Sequence, residues 1–160
     1  MSANPISAES QRALSPTQLR QQLRAKLKQA QQGGPALVAP GVFDGYGARM
    51  VQQLGFEAVY MTGNGVSASL LGMPDVGMLD MSENLAHVGR IARQLDIPVI
   101  CDADTGYGGV LNVVRTVQEF EAAGIAAIHI EDQVTPKRCG HLDGKSVVSA
   151  AEMAGKIRAA

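Results

Sequence analysis

Four times along this chain a short apolar run is followed by a segment punctuated like a helix, and this alternation restricts the fold more than any other feature. The runs are "ALVAP" (36–40), "EAVYMTG" (57–63), "PVICDAD" (98–104) and "AAIHIED" (126–132). None alternates cleanly with period two, which is how strands covered on both faces read. The helices between them announce themselves by their ends. Asp44 heads "GYGARMVQQLG", with Gly55 as its stop. Ser82 heads "ENLAHVGRIARQLD", and "TGYGG" leads into "VLNVVRTVQEFEAAG", ended by Gly124. Ser149 and Glu152 make a capping box for "AAEMAGKIRAA". One more helix precedes the first run: Ser15 caps it, Pro16 takes its first position, Gln18 completes the box, and Gly33-Gly34 end it. Residues 1–14 read as unordered, and residues 15–160 as part of one domain. The stretch 64–81 reads as a long, polar, glycine-bearing connection.

Strands alternating with helices imply an α/β fold with a parallel sheet and right-handed crossovers. Four such units are half of an eight-strand barrel, and the last helix runs to "KIRAA" without a stop signal. The expectation is therefore a partial barrel, cut from a longer chain.

Composition bounds the function. With 46% apolar and 18% charged residues, the chain is globular. Its 14 basic and 15 acidic residues nearly cancel, so nothing points to nucleic acid. The basic residues do gather early: Arg12, Arg20, Arg24, Lys26 and Lys28 stand in the first 34 residues with one acid, Glu9. That pattern reads as a solvated helix face. No apolar stretch approaches the ~20 residues of a membrane span, and the start lacks the pattern of a secretory signal. Two cysteines make no disulfide framework. A cytoplasmic protein with free thiols is expected.

In a parallel α/β fold the ligand lies at the carboxyl ends of the strands. Here those ends are polar: Tyr60 to Asn64, Asp102-Ala103-Asp104, and Glu131-Asp132. Asp102 and Asp104 are two apart, so on a strand they point the same way, and Cys101 faces the helices. Glu131 has the parity of His129, and Asp75 in "GMPDVG" can reach the same end. Four converging carboxylates repel one another unless something positive neutralises them. A hard divalent cation does so, as Mg²⁺ holding one or two carboxylates directly and the rest through water; helix caps and arginine partners are the alternative. Gly63, Gly65, Gly106, Gly108 and Gly109 allow backbone amides to approach a ligand. No GK[ST] follows "TGYGG" and no GxGxxG is present, so nucleotide binding has no support.

Beyond the acidic strand end stands "EDQVTPKRCGHLDGK" (131–145), with Cys139 between Lys137, Arg138 and His141. A thiol beside cations suits proton donation, and the cations suit carboxylate binding. With a proline, glycines and few apolar anchors, residues 133–145 read as a mobile lid. His129 reads as a satisfied interior histidine, His87 as solvated, and Cys101 as packing.

The segments "GVFDGYGARMVQQLGFEAVYMTG", "GMPDVG", "DADTGYGG", "IHIEDQ" and "KRCGH", in this order over residues 41–145, resemble the isocitrate lyase/phosphoenolpyruvate mutase superfamily. The resemblance implies a (β/α)8 TIM barrel with an extra N-terminal helix, of which this chain supplies roughly the first half. It implies a Mg²⁺ site (Mn²⁺ substituting) on Asp102 and Asp104, with Asp75 and Glu131 reached mainly through water. It implies that the backbone of Thr62-Gly63-Asn64 holds a 2-oxo acid, where Thr62 and Asn64 depart from the usual Ser-Gly-Gly and change pocket volume and polarity. Tyr60 would lie near the reacting hydroxyl, Cys139 would be the catalytic thiol, and Lys137, Arg138, Gly140 and His141 would hold the substrate. The implied activity is carbon–carbon cleavage of a 2-hydroxy di- or tricarboxylate of the 2-methylisocitrate or 2,3-dimethylmalate kind, in a cytoplasmic homotetramer. The alternatives are a carboxyphosphonoenolpyruvate mutase-like or oxaloacetate decarboxylase activity, or an inert partial domain.

Overall fold

The computed structural model describes residues 14–160, so the expected unordered start at 1–14 lies, but for its last residue, outside the described residues. The first helix, α1 (Pro16–Gln31), starts as its punctuation requires. Ser15 Oγ accepts from the Gln18 amide while the Gln18 side chain accepts from the Ser15 amide. Leu19 and Leu23 are its buried residues. Its positive charge is partly spent on neighbours: Arg20 pairs with Glu121 at 3.5 Å, and Lys26 pairs with Glu57.

The sheet has four parallel strands in the order β1 (Gly41–Val42), β2 (Val59–Met61), β3 (Val99–Asp102) and β4 (Ala127–His129). The connecting helices are α2 (Gly45–Gln53), α3 (Gly63–Leu71), α4 (Met81–Ala92) and α5 (Val110–Ala122), with α6 (Ala150–Ala159) after β4. Among the described residues no helix is long and apolar enough to cross a membrane.

Three local expectations change. "ALVAP" is not a strand, for pairing begins only at Gly41. Pro40 has no N–H to give to a ladder, and it contributes only its carbonyl, which accepts from the Tyr60 amide at 3.0 Å. The connection 64–81 is not loop throughout. It holds α3, capped by Thr62 and ended by Gly72 in the left-handed conformation at φ 63°. Its glycines and serines are poor helix formers, which hid it. Finally α4 is capped by Asp80, not Ser82: Asp80 Oδ1 accepts from the Glu83 amide at 2.8 Å and Glu83 returns a bond at 3.1 Å.

Register divides the sheet into two faces, because residues opposite each other in a ladder point the same way. Val42, Met61, Cys101 and Ile128 lie in one row. They join Val88, Leu95 and Phe120 in the core under the helices, so Cys101 is packing, as expected. The other face carries Tyr60, Ile100, Asp102 and His129. His129 lies on this face, exposed, with its Nδ1 3.0 Å from the Tyr60 hydroxyl. His87 is not simply solvated, since its Nε2 lies 2.8 Å from the Phe43 carbonyl.

Phe120 is 1% exposed and sits where α5 meets this core. Phe120→Ala is expected to destabilise the intact protein by about 3–5 kcal/mol through lost transfer energy and a residual cavity. Urea denaturation checks it, and a loss below about 1 kcal/mol would mean that the site collapses around the smaller side chain.

Candidate active site

The polar residues gather, as expected, where β2, β3 and β4 end. Asp102 is the last residue of β3 and 7% exposed. Its carboxylate accepts from the backbone on both oxygens: Asp104 N–H to Oδ1 at 2.9 Å and Gly63 N–H to Oδ2 at 3.3 Å. A β-carbon on Gly63 would stand 2.7 Å from Asp102 Oδ2, so only glycine lets the start of α3 come this close. Thr62 spends its hydroxyl on capping α3, accepting from the Gly65 amide at 2.9 Å. Asn64 is exposed in the same first turn, where amides need partners from outside the helix.

Asp104 does not share a strand face with Asp102. The chain leaves the strand after Asp102, and Asp104 takes a left-handed conformation at φ 48°. This swings its carboxylate toward Asp75 and away from strict strand parity. Burial, reinforced by the charges of Asp102 and Asp75, lifts the Asp104 carboxyl to about 6 despite Lys137.

Lys137 is the principal correction. It was expected to hold a substrate carboxylate, yet it is 3% exposed and turned inward. Its ammonium donates to Asp75 Oδ2 at 2.6 Å and pairs with Asp104 Oδ1 at 2.7 Å. Burial alone would favour the neutral amine, but these two carboxylates push its pKa up, so the ammonium is the stable form. The charge that offsets two of the four carboxylates is thus the protein's own.

The rest of the loop follows from that anchor. Gln133 pairs with the backbone of Arg138 on both sides of its amide: Oε1 accepts from the Arg138 N–H at 3.1 Å and Nε2 donates to the Arg138 carbonyl at 2.8 Å. Nε2 also donates to Glu131 Oε2 at 2.7 Å. The loop base is closed by Val134 N–H on the Ser146 carbonyl and Val148 N–H on the Asp132 carbonyl. The loop expected to be a mobile lid over 133–145 has few buried apolar residues, and polar anchors tie its base and its start. Cys139, half-buried, lies with Sγ 3.6 Å from His141 Nδ1. Of the three expected cations only His141 stands beside the thiol, since Lys137 faces the carboxylates and Arg138 donates to the Asp143 carbonyl at 3.3 Å. Gly140 is exposed, and its carbonyl accepts from Lys145 at 2.7 Å.

Tyr60 places its hydroxyl 3.0 Å from His129 Nδ1, on the face that carries Asp102. Burial first, then the charge of Asp102, push the phenol's pKa up, so it stays protonated. Beside Glu131 a cavity of about 500 Å³ opens, lined by His129, Asp132, Gln133, Lys145 and Met153. A larger groove of about 840 Å³ runs along α1 to Ala126 and Ala127, at the strand starts, and none of the candidate residues lines it.

These are hard oxygen donors and suit a divalent cation. Among the described residues no three acidic, histidine or cysteine side chains converge to hold a metal by themselves. The arrangement fits an ion with one or two direct carboxylates and water for the rest, the coordination Mg²⁺ favours. Reading the sequence missed Gln133, quoted in "IHIEDQ" without a role. It also missed Asn84, Thr116 and Lys156, which reach the site from helices and carry no spacing signal.

The family profile described as phosphoenolpyruvate phosphomutase matches residues 25–160. The chain belongs to the phosphoenolpyruvate mutase/isocitrate lyase superfamily. It is similar to the 2,3-dimethylmalate lyase of Eubacterium barkeri, 52% identical over 136 residues, which are 85% of this chain and 47% of that one. It is also similar to the 2-methylisocitrate lyase of Shewanella oneidensis, 44% identical over 135 residues, 84% of this chain and 46% of the relative. A solved complex of phosphonopyruvate hydrolase with oxalate and Mg²⁺ matches with a TM-score of 0.77 at 35% identity, over 91% of this chain and 47% of that one. The chain spans about half the length of the curated relatives it matches. For a superfamily whose solved structures are TIM barrels, the four parallel β-α units are the corresponding part.

If Lys137 balances the buried carboxylates, Lys137→Met should leave Asp75 and Asp104 uncompensated. The expected cost is about 3–5 kcal/mol, the usual result of removing one partner of a buried pair. Equilibrium denaturation of the intact protein measures it; a variant as stable as the wild type would show that water or another group takes over the charge.

Proposed function

We propose that the protein of which this chain is a part is a carbon–carbon lyase that cleaves a 2-hydroxy di- or tricarboxylate, of the 2,3-dimethylmalate or 2-methylisocitrate kind, into a 2-oxo acid such as pyruvate and a second carboxylate. The observation that carries the reading is the "KRCGH" segment, with the Cys139 thiol beside His141 on a loop anchored to the carboxylate floor. The 52% identity to a 2,3-dimethylmalate lyase supports the substrate class.

In this reading Asp102 and Asp104 would hold a Mg²⁺ ion, Mn²⁺ being able to replace it, and Asp75 and Glu131 would reach it through water. When bound, such an ion makes a coordinated hydroxyl easier to deprotonate and orients the carboxylate next to it. At the N-terminus of α3 the Gly63 amide is engaged by Asp102 Oδ2, and the Asn64 amide holds the end of the substrate that becomes the 2-oxo acid. Tyr60, protonated and bonded to His129, donates a hydrogen bond near the reacting hydroxyl. That hydroxyl passes its proton through water to the Glu131 carboxylate, its carbon–oxygen bond becomes a carbonyl and the adjacent carbon–carbon bond breaks. The released electron pair stays on the carbon beside the second carboxylate, which takes the proton of the Cys139 thiol. Arg138, His141 and the backbone of Gly140 hold that second carboxylate. Lys137 does not bind substrate, because its charge is engaged by Asp75 and Asp104; it fixes the loop that carries the thiol. The domain is proposed to extend from residue 15 through residue 160 into the remainder of a barrel, in a cytoplasmic homotetramer, testable by light scattering on the intact protein.

The mutase-like and decarboxylase readings place no demand on a thiol, and Cys139 discriminates them. Cys139→Ser keeps the size but replaces a thiol of pKa ~8.5 by a far weaker acid. Single-turnover cleavage of 2,3-dimethylmalate and 2-methylisocitrate by the intact protein is expected to slow by about 10²–10⁴-fold, with unchanged melting temperature. Cleavage of neither substrate by the wild type would sink the lyase reading, and a Ser variant retaining more than about a tenth of the activity would remove the thiol from the proton transfer.

Ion binding has its own check. Calorimetric titration with Mg²⁺ is expected to show a site that disappears in the Asp102→Ala, Asp104→Ala double variant. Equal binding in that variant would move the ion elsewhere.

A further inference from the structure

The turn that carries Asp102 and Asp104 is held by more than the proposed reaction uses. Asp104 (φ 48°) and Tyr107 (φ 58°) both take the left-handed backbone conformation. For residues with a β-carbon this costs about 1 kcal/mol or more each, and it persists only where the surroundings over-determine it. Here every backbone carbonyl from Asp102 to Gly106 has a donor. The Asp102 carbonyl accepts from Asn84 Nδ2 at 3.0 Å, and that of Ala103 from the Gly106 amide at 2.9 Å. The Asp104 carbonyl accepts from the Glu131 amide at 2.7 Å, that of Thr105 from Lys156 Nζ at 3.0 Å, and that of Gly106 from Thr116 Oγ1 at 3.1 Å. The three side-chain donors come from three different helices, α4, α5 and α6.

Lys156 is the unusual member. It is 4% exposed, and among the described residues it makes no ion pair. Its one acceptor among the described residues is the Thr105 carbonyl, next to Asp104. Burying an ammonium for one carbonyl is expensive, and an apolar side chain would pack in its place at lower cost. A positive charge behind a cation site also works against ion binding, so attraction of the ion gives no reason for its presence. Asn84 shows the same commitment: its Nδ2 serves both the Asp102 carbonyl and the Tyr107 hydroxyl at 2.8 Å, while its buried Oδ1 has no partner among the described residues.

We propose that Lys156 is a positioning residue. Through the Thr105 carbonyl, and together with Asn84 and Thr116, it holds the Asp102–Tyr107 turn in the left-handed form that aims both aspartates at one ion. The inference rests on the reading of Asp102 and Asp104 as the direct ligands.

Lys156→Met keeps the apolar stem and removes the charge and the donor. Mn²⁺ affinity of the intact protein, measured by calorimetry, is expected to fall about ten-fold or more, as it does when the outer partners of ion ligands are lost. Lys156→Arg, which keeps a cationic donor, is expected to recover most of it. A role through charge alone predicts the opposite sign, since removing a cation would tighten Mn²⁺ binding. That result, or unchanged affinity with a lowered melting temperature, overturns the proposal. A second readout needs no ion. The amides of Asp104, Gly106 and Glu131 are bonded to Asp102 Oδ1, the Ala103 carbonyl and the Asp104 carbonyl. In Lys156→Met they are expected to exchange hydrogen about ten-fold faster than in the wild type, with the amides of β2 unchanged. If the wild type binds no Mn²⁺, the ion reading fails and exchange alone decides the clamp, with unchanged protection at these three amides overturning it.

Discussion

One buried ammonium organises the carboxyl end of this sheet. Lys137 lies between Asp75 and Asp104, which arrive from the connection after α3 and from the turn after β3. Buried charges are tolerated when they are paired and hydrogen-bonded. Removing any one of the three leaves buried charge uncompensated. The pairing therefore does two things with one group. It lowers the repulsion among the acids at the strand ends, and it fixes the start of the loop on which the thiol stands. Gln133 then sets the path of the next residues by matching the backbone of Arg138.

Apolar packing and chemistry are separated by the pleat. The row Val42, Met61, Cys101 and Ile128 faces the helices, and the row with Tyr60, Asp102 and His129 faces away. The glycines of "TGYGG" belong to this separation more than to ligand approach. A β-carbon on Gly106 would stand 2.6 Å from Val113, and one on Gly108 would stand 2.5 Å from Asn112. Their absence of side chains lets the turn after β3 lie against α5, which keeps the two aspartates at the rim.

The family relation and the site bear on each other. The chain matches its relatives over about half their length, and the face that carries Asp102 is the one the helices leave uncovered. In an eight-strand barrel that face looks inward. Tyr60, Asp102 and His129 are therefore on the surface where a barrel's chemistry is built, although four strands alone leave it open.

Much of this was legible in the sequence, because much of it is local. The helix starts at Ser15, Asp44 and Ser149 follow from one side chain meeting the amide three residues on, and such encounters need no tertiary structure. Short apolar runs between helices specify a parallel sheet for the same reason, and the polar strand ends follow from it. The strand expected at 36–40 does not form: Pro40 has no N–H for a ladder, and pairing starts at Gly41. What the sequence could not supply was the partner of each charge. Lys137 is 62 residues from Asp75 and 33 from Asp104, and from spacing alone its cation was equally available to a substrate. Only the packed structure, by burying it against two carboxylates, decided that it holds the protein together. The same is true of Lys156, an unremarkable helix residue until folding sets its ammonium on the carbonyl of Thr105. Periodicity determines which face a residue occupies; competition among distant groups for a buried charge is settled in three dimensions, where desolvation leaves room for one winner.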